Sequence, residues 1–237
     1  MKEIMSVRDV VKIYRVGNVV TYGLRGVNLN IYQGDFIAIM GPSGSGKTTL
    51  LNILGLLDKP TKGSVYIDGI DVSKLSDREL AKIRNLKLGF VFQHFNLINR
   101  LTVLENIEIP LIARGIPKQK RVELAKEALL KAGGELSWLP KKPLQLSGGQ
   151  QQRVAIARAI VGSPEIILAD EPTGNLDVNS SKIVVKTFLE LNKHGHTIVM
   201  VTHNPEVAHC TQKIYVIRDG TIVNIVDPDP SKCIAYT

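Results

Sequence analysis

Two cysteines, Cys210 and Cys233, are too few for a disulfide framework and stand outside any metal-ligand spacing, so a reducing cytosol is the expected setting. No stretch approaches the roughly 18 apolar residues of a spanning helix. The opening MKEIMSVRDV carries charges where a signal peptide needs an apolar core. The chain is therefore expected to be neither secreted nor membrane-spanning. Internal repeats and low-complexity linkers are also missing.

What is present is a chain of 237 residues, 44% hydrophobic, enough to bury a sizeable core as one large domain or two unequal lobes. Net charge is +8, which could favour nucleic acid or an anionic membrane surface. The basic residues are scattered in small groups, such as Lys141-Lys142 and Lys118 to Arg121, as on an ordinary solvated surface. Charge alone selects no partner.

The apolar run Phe36 to Met40 enters a glycine- and serine-rich turn followed by Leu50, Leu51, Ile53 and Leu54, a pattern that predicts strand, loop and helix. Further strands are predicted at Val65 to Ile67, Leu88 to Phe92, Ile166 to Ala169, Thr197 to Val201 and Ile214 to Ile217. Their mostly continuous apolar character implies a largely parallel core sheet. Between about residues 95 and 163 the spacing becomes helical, with Leu124, Ala128, Leu129 and Ala132 on one face, which predicts an inserted helical lobe. The opening forty residues or so, rich in Val, Ile and Tyr at near-alternate positions, read as antiparallel strands against the sheet's edge. The fold class expected is α/β, with a mostly parallel core sheet, an N-terminal antiparallel β subdomain and an inserted helical subdomain, all in one domain over 1–237.

Gly41, Pro42, Ser43, Gly44, Ser45, Gly46, Lys47 and Thr48 fit the pattern G-x-x-x-x-G-K-[ST], placed after a strand and before a helix. Glycines let backbone N–H groups turn inward around a polyphosphate, and the helix N-terminus adds the positive end of its dipole. Lys47 would reach the β- and γ-phosphates and Thr48 would ligate Mg²⁺; Thr49 completes the expected ATP-binding set. Ile166 to Ala169 runs into two adjacent carboxylates at the carboxyl end of the sheet, where the phosphate loop also lies. Asp170 would hold the Mg²⁺ shell through water, and Glu171 would be the general base for the attacking water. Read alone, such an acidic strand end is more often a turn or a helix cap.

Leu146-Ser147-Gly148-Gly149-Gln150, followed by Gln151-Gln152-Arg153, resembles the signature motif of the ATP-binding cassette (ABC) ATPases, and the resemblance covers nearly the whole chain. Ser147 before two glycines at the start of a predicted helix is a second phosphate site at a helix N-terminus, or in isolation an ordinary cap. The family implies that Ser147, Gly148, Gly149 and Gln150 act in trans, on ATP held by a second copy, in a head-to-tail homodimer. It further implies that Tyr14 stacks on adenine, that Gln93 touches Mg²⁺ and the attacking water, that Asn175, Leu176 and Asp177 form a dimer-interface loop, and that His203 holds the γ-phosphate. Read alone, Tyr14 suits packing, Asp177 a helix cap and His203 an unremarkable strand end. His94, His194, His196 and His209 match no motif.

The segments Phe92 to Pro110 and Leu56 to Gly63 are similar to the branch that serves macrolide-export, lipoprotein-release and cell-division permeases. The implied function is a stand-alone ATP hydrolase with ATP and Mg²⁺, powering integral membrane permease subunits of export or extraction type from the cytoplasmic face of the membrane. A rival reading, a non-transport cassette acting on nucleic acid or ribosomes, is disfavoured because each motif occurs once and only about 50 residues separate Gln93 from the signature. No nucleic-acid partner is expected. A cassette that binds ATP without turnover is disfavoured because Lys47, Glu171, Ser147 and His203 are all present. Trp138 reads as a core filler or a permease contact, filler being preferred. The segment Gly133 to Trp138 and the tail after Gly220 match nothing.

Overall fold

The computed structural model describes residues 2–236; Met1 and Thr237, the ends of the expected single domain, lie outside the described residues. Two long strands, β1 (Glu3–Val16) and β2 (Val19–Tyr32), come first, and β3 (Phe36–Met40) leads through the glycine-rich loop into α1 (Lys47–Leu54). Strands β4 (Lys62–Ile67) and β5 (Ile70–Asp71), helix α2 (Asp77–Lys87) and strand β6 (Leu88–Phe92) follow. Helices α3 (Val103–Ala113), α4 (Lys118–Lys131) and α5 (Gly148–Ile160) precede β7 (Ile166–Asp170). Then come α6 (Val178–Lys193), β8 (Thr197–Val201), the short α7 (Pro205–Ala208), and the hairpin of β9 (Lys213–Arg218) and β10 (Thr221–Val226).

Six strands form one sheet in the order β10-β9-β3-β8-β7-β6, parallel except for β10 at one edge. Its central strands are buried on both faces, and neighbouring residues serve different cores, as the two-residue period of a strand requires. Ile37, Ile39, Ile166, Leu168, Val199 and Val201 pack toward α1 and the antiparallel sheet. Phe36, Ile167, Ala169, Ile198 and Met200 face the other way, toward α5, α6 and the helices between β6 and β7.

The second sheet, β2-β1-β4-β5, is antiparallel throughout. Two expectations change here. The apolar run Val65 to Ile67 suggests a parallel core strand, but β4 pairs antiparallel with β1, Val65 opposite Val7 and Ile67 opposite Met5. Its burial alternates, with Val65 and Ile67 inside and Ser64 and Tyr66 only partly covered, which suits a half-buried antiparallel strand. The antiparallel sheet also lies over a face of the parallel sheet rather than its edge, because Val7, Leu29 and Val65 share one core with Ile37, Ile39 and Leu50.

Three helices that bear on the site begin with a reciprocal cap, in which a hydroxyl accepts from the third helical N–H and that residue's side chain accepts from the cap's N–H. These are Ser76 with Glu79 on α2, Thr102 with Glu105 on α3, and Ser147 with Gln150 on α5. Trp138 is buried among the helices, with the Arg153 guanidinium 5.0 Å from its ring centre, so it is a core filler.

The tail also departs from expectation. Two cysteines are too few for a framework and suggest a reducing setting, yet Cys210 and Cys233 are bonded to each other, their Cα atoms 4.7 Å apart. Cys233, Ile234 and Ala235 are buried against α7, and the Ile234 N–H donates to the Glu206 carbonyl at 3.1 Å. Spacing could not reveal this pair, because it forms only where the β9-β10 hairpin returns the chain to α7.

Candidate functional site

The parallel strands bring four loops to one edge of the sheet. Phe92 of β6 is in register with Asp170 of β7, Asp170 with Val201 of β8, and Val201 with Ile39 of β3. Gln93, Glu171, Thr202 and the glycine-rich loop therefore leave the sheet at one level, at its carboxyl end, where open α/β sheets bind ligands.

The loop from Gly41 to Gly46 curls between β3 and α1. Gly46, the residue before α1, has φ 106°, and a Cβ there would fall 2.5 Å from the Gly23 carbonyl oxygen, so only glycine fits. The first turn of α1 has neither a side-chain cap nor an acidic residue. Its free N–H groups and positive dipole end are thus left for an anion. The Lys47 ammonium donates to the carbonyls of Gly41 at 2.8 Å and Pro42 at 2.9 Å, and Thr48 is exposed beside it. The Ser45 hydroxyl is buried and has no hydrogen-bond partner among the described residues. Pro42, Ser43 and Gly44 form the exposed rim. Tyr14 and Thr49 flank Gly23: a Cβ on that glycine would lie 2.9 Å from the Tyr14 ring and 3.0 Å from the Thr49 methyl. The Tyr14 hydroxyl donates to Asp58 at 3.1 Å.

Across from the loop, burial and the neighbouring Glu171 push the Asp170 carboxyl above the usual range, and Lys47 opposes them. Two adjacent carboxylates facing one ammonium suit a divalent cation in contact with phosphate. Among the described residues no group of three His, Cys, Asp or Glu side chains could hold a metal. An ion here would need phosphate oxygens as further ligands, which is how Mg²⁺ is usually held. Glu171 lies in the left-handed region at φ 46°, and its N–H donates to the Val201 carbonyl at 2.9 Å. His203 grips its carboxylate: Nδ1 is 2.9 Å from Oε1, and the backbone N–H donates to Oε2 at 3.2 Å.

A second group gathers beside the first. The Gln93 carboxamide donates to Asn175 at 3.1 Å, and a Cβ on Gly148 would be 3.4 Å from the Leu176 side chain. Asp177 caps α6 by accepting from the Ser180 N–H at 2.9 Å. Ser147 caps α5, its Oγ accepting from the Gln150 N–H at 3.3 Å, and Gly149 is buried against Ser180. The side-chain bonds of Ser147 stay within its own helix; none reaches the phosphate loop.

Two residues that hold these loops were not singled out from sequence. Gln152, fully buried, donates to the carbonyls of Phe92 at 3.3 Å and Pro172 at 2.6 Å, tying the ends of β6 and β7 to α5. Arg158 donates to the carbonyls of Phe95 and Asn96, both left-handed at φ 60° and 49°. Burial pushes its guanidinium down to about 10, which leaves it charged at neutral pH. The signal was there: Gln152 shares its helix face with Ala155, Ile156 and Ala159, so a polar residue was placed at an apolar position.

A phosphate cradle between a parallel strand and a helix, with carboxylates on the adjacent strand end, defines a P-loop nucleoside triphosphatase. The chain belongs to the ABC transporter family, whose profile matches residues 24–174, and it is an ATP-hydrolysing cassette. It is 52% identical to an uncharacterised ABC transporter ATP-binding protein of Thermotoga maritima, over 95% of this chain and 96% of that one. The cassette MJ0796 of Methanocaldococcus jannaschii, solved as a dimer and in a dimeric post-hydrolysis state bound to ADP and Pi, superposes with a TM-score of 0.88 at 48% identity. The match covers 95% of this chain and 99% of that one. The macrolide export ATP-binding/permease protein MacB of Syntrophobacter fumaroxidans is 49% identical over 93% of this chain, which spans 31% of that longer protein.

Proposed function

We propose that two copies of this chain close around two ATP·Mg²⁺, hydrolyse them and reopen, and so power a separate membrane permease of export or extraction type. The observation that carries this reading is the meeting of the phosphate loop, Asp170 and a Glu171 clamped by His203 at one sheet edge. Tyr14 stacks on the adenine, and Thr49 joins the loop amides and Lys47 in binding the nucleotide. Thr48, Gln93 and, through water, Asp170 would hold Mg²⁺, which neutralises charge on the β- and γ-phosphates. Glu171 takes the proton of the attacking water, and His203 keeps that carboxylate aimed and contacts the γ-phosphate. Ser147, Gly148, Gly149 and Gln150 cover the γ-phosphate held by the other copy, and Asn175, Leu176 and Asp177 cross the interface. Dimeric MJ0796 supports this arrangement. ATP shifts the equilibrium because it has greater affinity for the closed pair.

A groove of about 410 Å³ between α2 and the helices after β6 is the proposed seat of the permease. Its walls include Ala81, Phe90, Phe92, Pro110, Ala113 and Arg114. That lining suits a short helix with an apolar face and an acidic end. No helix among the described residues is long and apolar enough to cross a membrane, and the permease partner would hold the cassette on the cytoplasmic face. Hydrolysis measured across a protein concentration series, with native mass in ATP for the wild type and Glu171→Gln, tests the reading. Turnover rising faster than linearly, together with an ATP-dependent dimer of the variant, supports it. Linear turnover by a monomer breaks the assignment of Ser147 in trans.

A further inference from the structure

Gln93 leaves the end of β6 with its carboxamide engaged at one end. Nε2 donates to Asn175 Oδ1 at 3.1 Å, while Oε1 accepts no hydrogen bond among the described residues. Asn175 answers with its other end: Nδ2 donates to the Gln93 backbone carbonyl at 3.1 Å and lies 3.0 Å from His94 Nδ1. Beneath the pair, a Cβ on Gly174 would fall 2.8 Å from Gln93 Nε2, so the loop that starts at Gly174 also packs on the carboxamide.

The two ends of a carboxamide do different chemistry. The oxygen can ligate a cation or accept from water, whereas the NH₂ can only donate. Each amide here fixes the other. The Gln93 backbone carbonyl can only accept, so the NH₂ of Asn175 must face it; Oδ1 is then turned to Gln93, whose own NH₂ must meet it. The free end of Gln93 is thereby its oxygen.

We infer that Asn175 is a positioning residue for Gln93: by seating the NH₂ it presents the oxygen for Mg²⁺, and it makes that presentation depend on the position of the loop 174–177. This rests on the proposed contact of Gln93 with Mg²⁺ and adds a second task for Asn175. Beside crossing to the other copy, it works within its own chain, so a shift of the interface loop is passed to Gln93 directly through the two hydrogen bonds that join them. Asn175 and Gly174 are both exposed, so the pair can be altered without disturbing a core.

The test is the Mg²⁺ dependence of ATP binding in the non-hydrolysing Glu171→Gln protein, read by calorimetric titration at concentrations where the cassette is monomeric. Four proteins are compared: the parent, Asn175→Ala, Gln93→Ala and the double variant. Asn175→Ala should raise the Mg²⁺ concentration for half-maximal enhancement about threefold to tenfold, the worth of one hydrogen bond, and leave ATP affinity in EDTA unchanged. Gln93→Ala should do the same, and the double variant should be no worse than Gln93→Ala, because both changes remove one coupled unit. Additive effects, or an unmoved Mg²⁺ dependence in Asn175→Ala beside a shifted one in Gln93→Ala, overturn the inference. An unmoved dependence in Gln93→Ala overturns the underlying role of Gln93 instead, and with it this inference.

Discussion

Both carboxylate oxygens of Glu171 are held by one residue of the next strand's loop, Oε1 by the His203 ring and Oε2 by its backbone N–H. A base held twice can keep its aim while a water approaches, but the grip also means that the two residues fail together.

Replacing Glu171 by Gln preserves the shape and the acceptor for the His203 N–H and removes the proposed base. ATP binding should persist, and hydrolysis should fall by about a hundredfold or more, the scale of a general base. His203→Ala should lower turnover in the same direction, and the double variant should be little worse than Glu171→Gln. Steady-state turnover with a parallel binding assay checks this; an unchanged rate in Glu171→Gln would sink the assignment of the base.

Gly46→Ala places a methyl 2.5 Å from the Gly23 carbonyl oxygen at a backbone angle that L-residues avoid. The amide at the start of α1 must then turn out of the cradle. Nucleotide affinity should drop by about tenfold or more, as when a charge-assisted hydrogen bond is lost, while the melting temperature without nucleotide moves little. Wild-type affinity in this variant would mean that the loop has room to spare.

The placement of much of this candidate site was legible because the segments that carry it are local in sequence. The strand at Phe36 to Met40, the loop after it and the helix after that are contiguous, so apolar run, glycine spacing and periodicity all mark one place. Asp170 and Glu171 were legible for the same reason, standing at the end of an apolar run. What failed were relations between distant segments. Val65 and Ile67 alternate in burial with Ser64 and Tyr66, yet the partners that settle their pairing, Val7 and Met5 of β1, are about sixty residues earlier. Cys210 and Cys233 meet only through a hairpin, and Gln152 ties β6 to β7 from a helix between them. Tertiary placement decides such cases, and no single-segment pattern carries it.

The bond between Cys210 and Cys233 closes a loop of sequence separation 23. Chain-entropy reasoning assigns such a crosslink roughly 3 kcal/mol, or about 6 to 12 °C in melting temperature for a domain of this size. Oxidised wild type should melt higher than Cys233→Ala by that margin, and reductant should bring the wild type down to the variant. A melting temperature indifferent to reductant would show that the burial of Ile234 and Ala235, and not the bond, holds the tail.

Arg158 joins the helix of the signature to the loop after Gln93 with one guanidinium, donating to the Asn96 carbonyl at 2.5 Å and to the Phe95 carbonyl at 2.8 Å. Both residues occupy the left-handed region, a conformation that costs on the order of 1 kcal/mol or more for a side-chain-bearing residue and persists only when the surroundings insist. Arg158→Met keeps the length and removes both donors; the protein should lose about 1 to 3 kcal/mol, the cost of leaving polar groups unpaired. Arg158→Lys should restore little, because a single ammonium cannot span two carbonyls as a planar fork does. Since Arg158 and Asn96 also border the groove proposed for the permease, basal ATP hydrolysis should fall less than hydrolysis stimulated by the permease. Denaturant melts of the three proteins, with ATPase assays with and without permease, separate the two effects. Full rescue by Lys, or equal loss of basal and stimulated rates, would reduce Arg158 to an ordinary buried charge with no part in linking groove to signature.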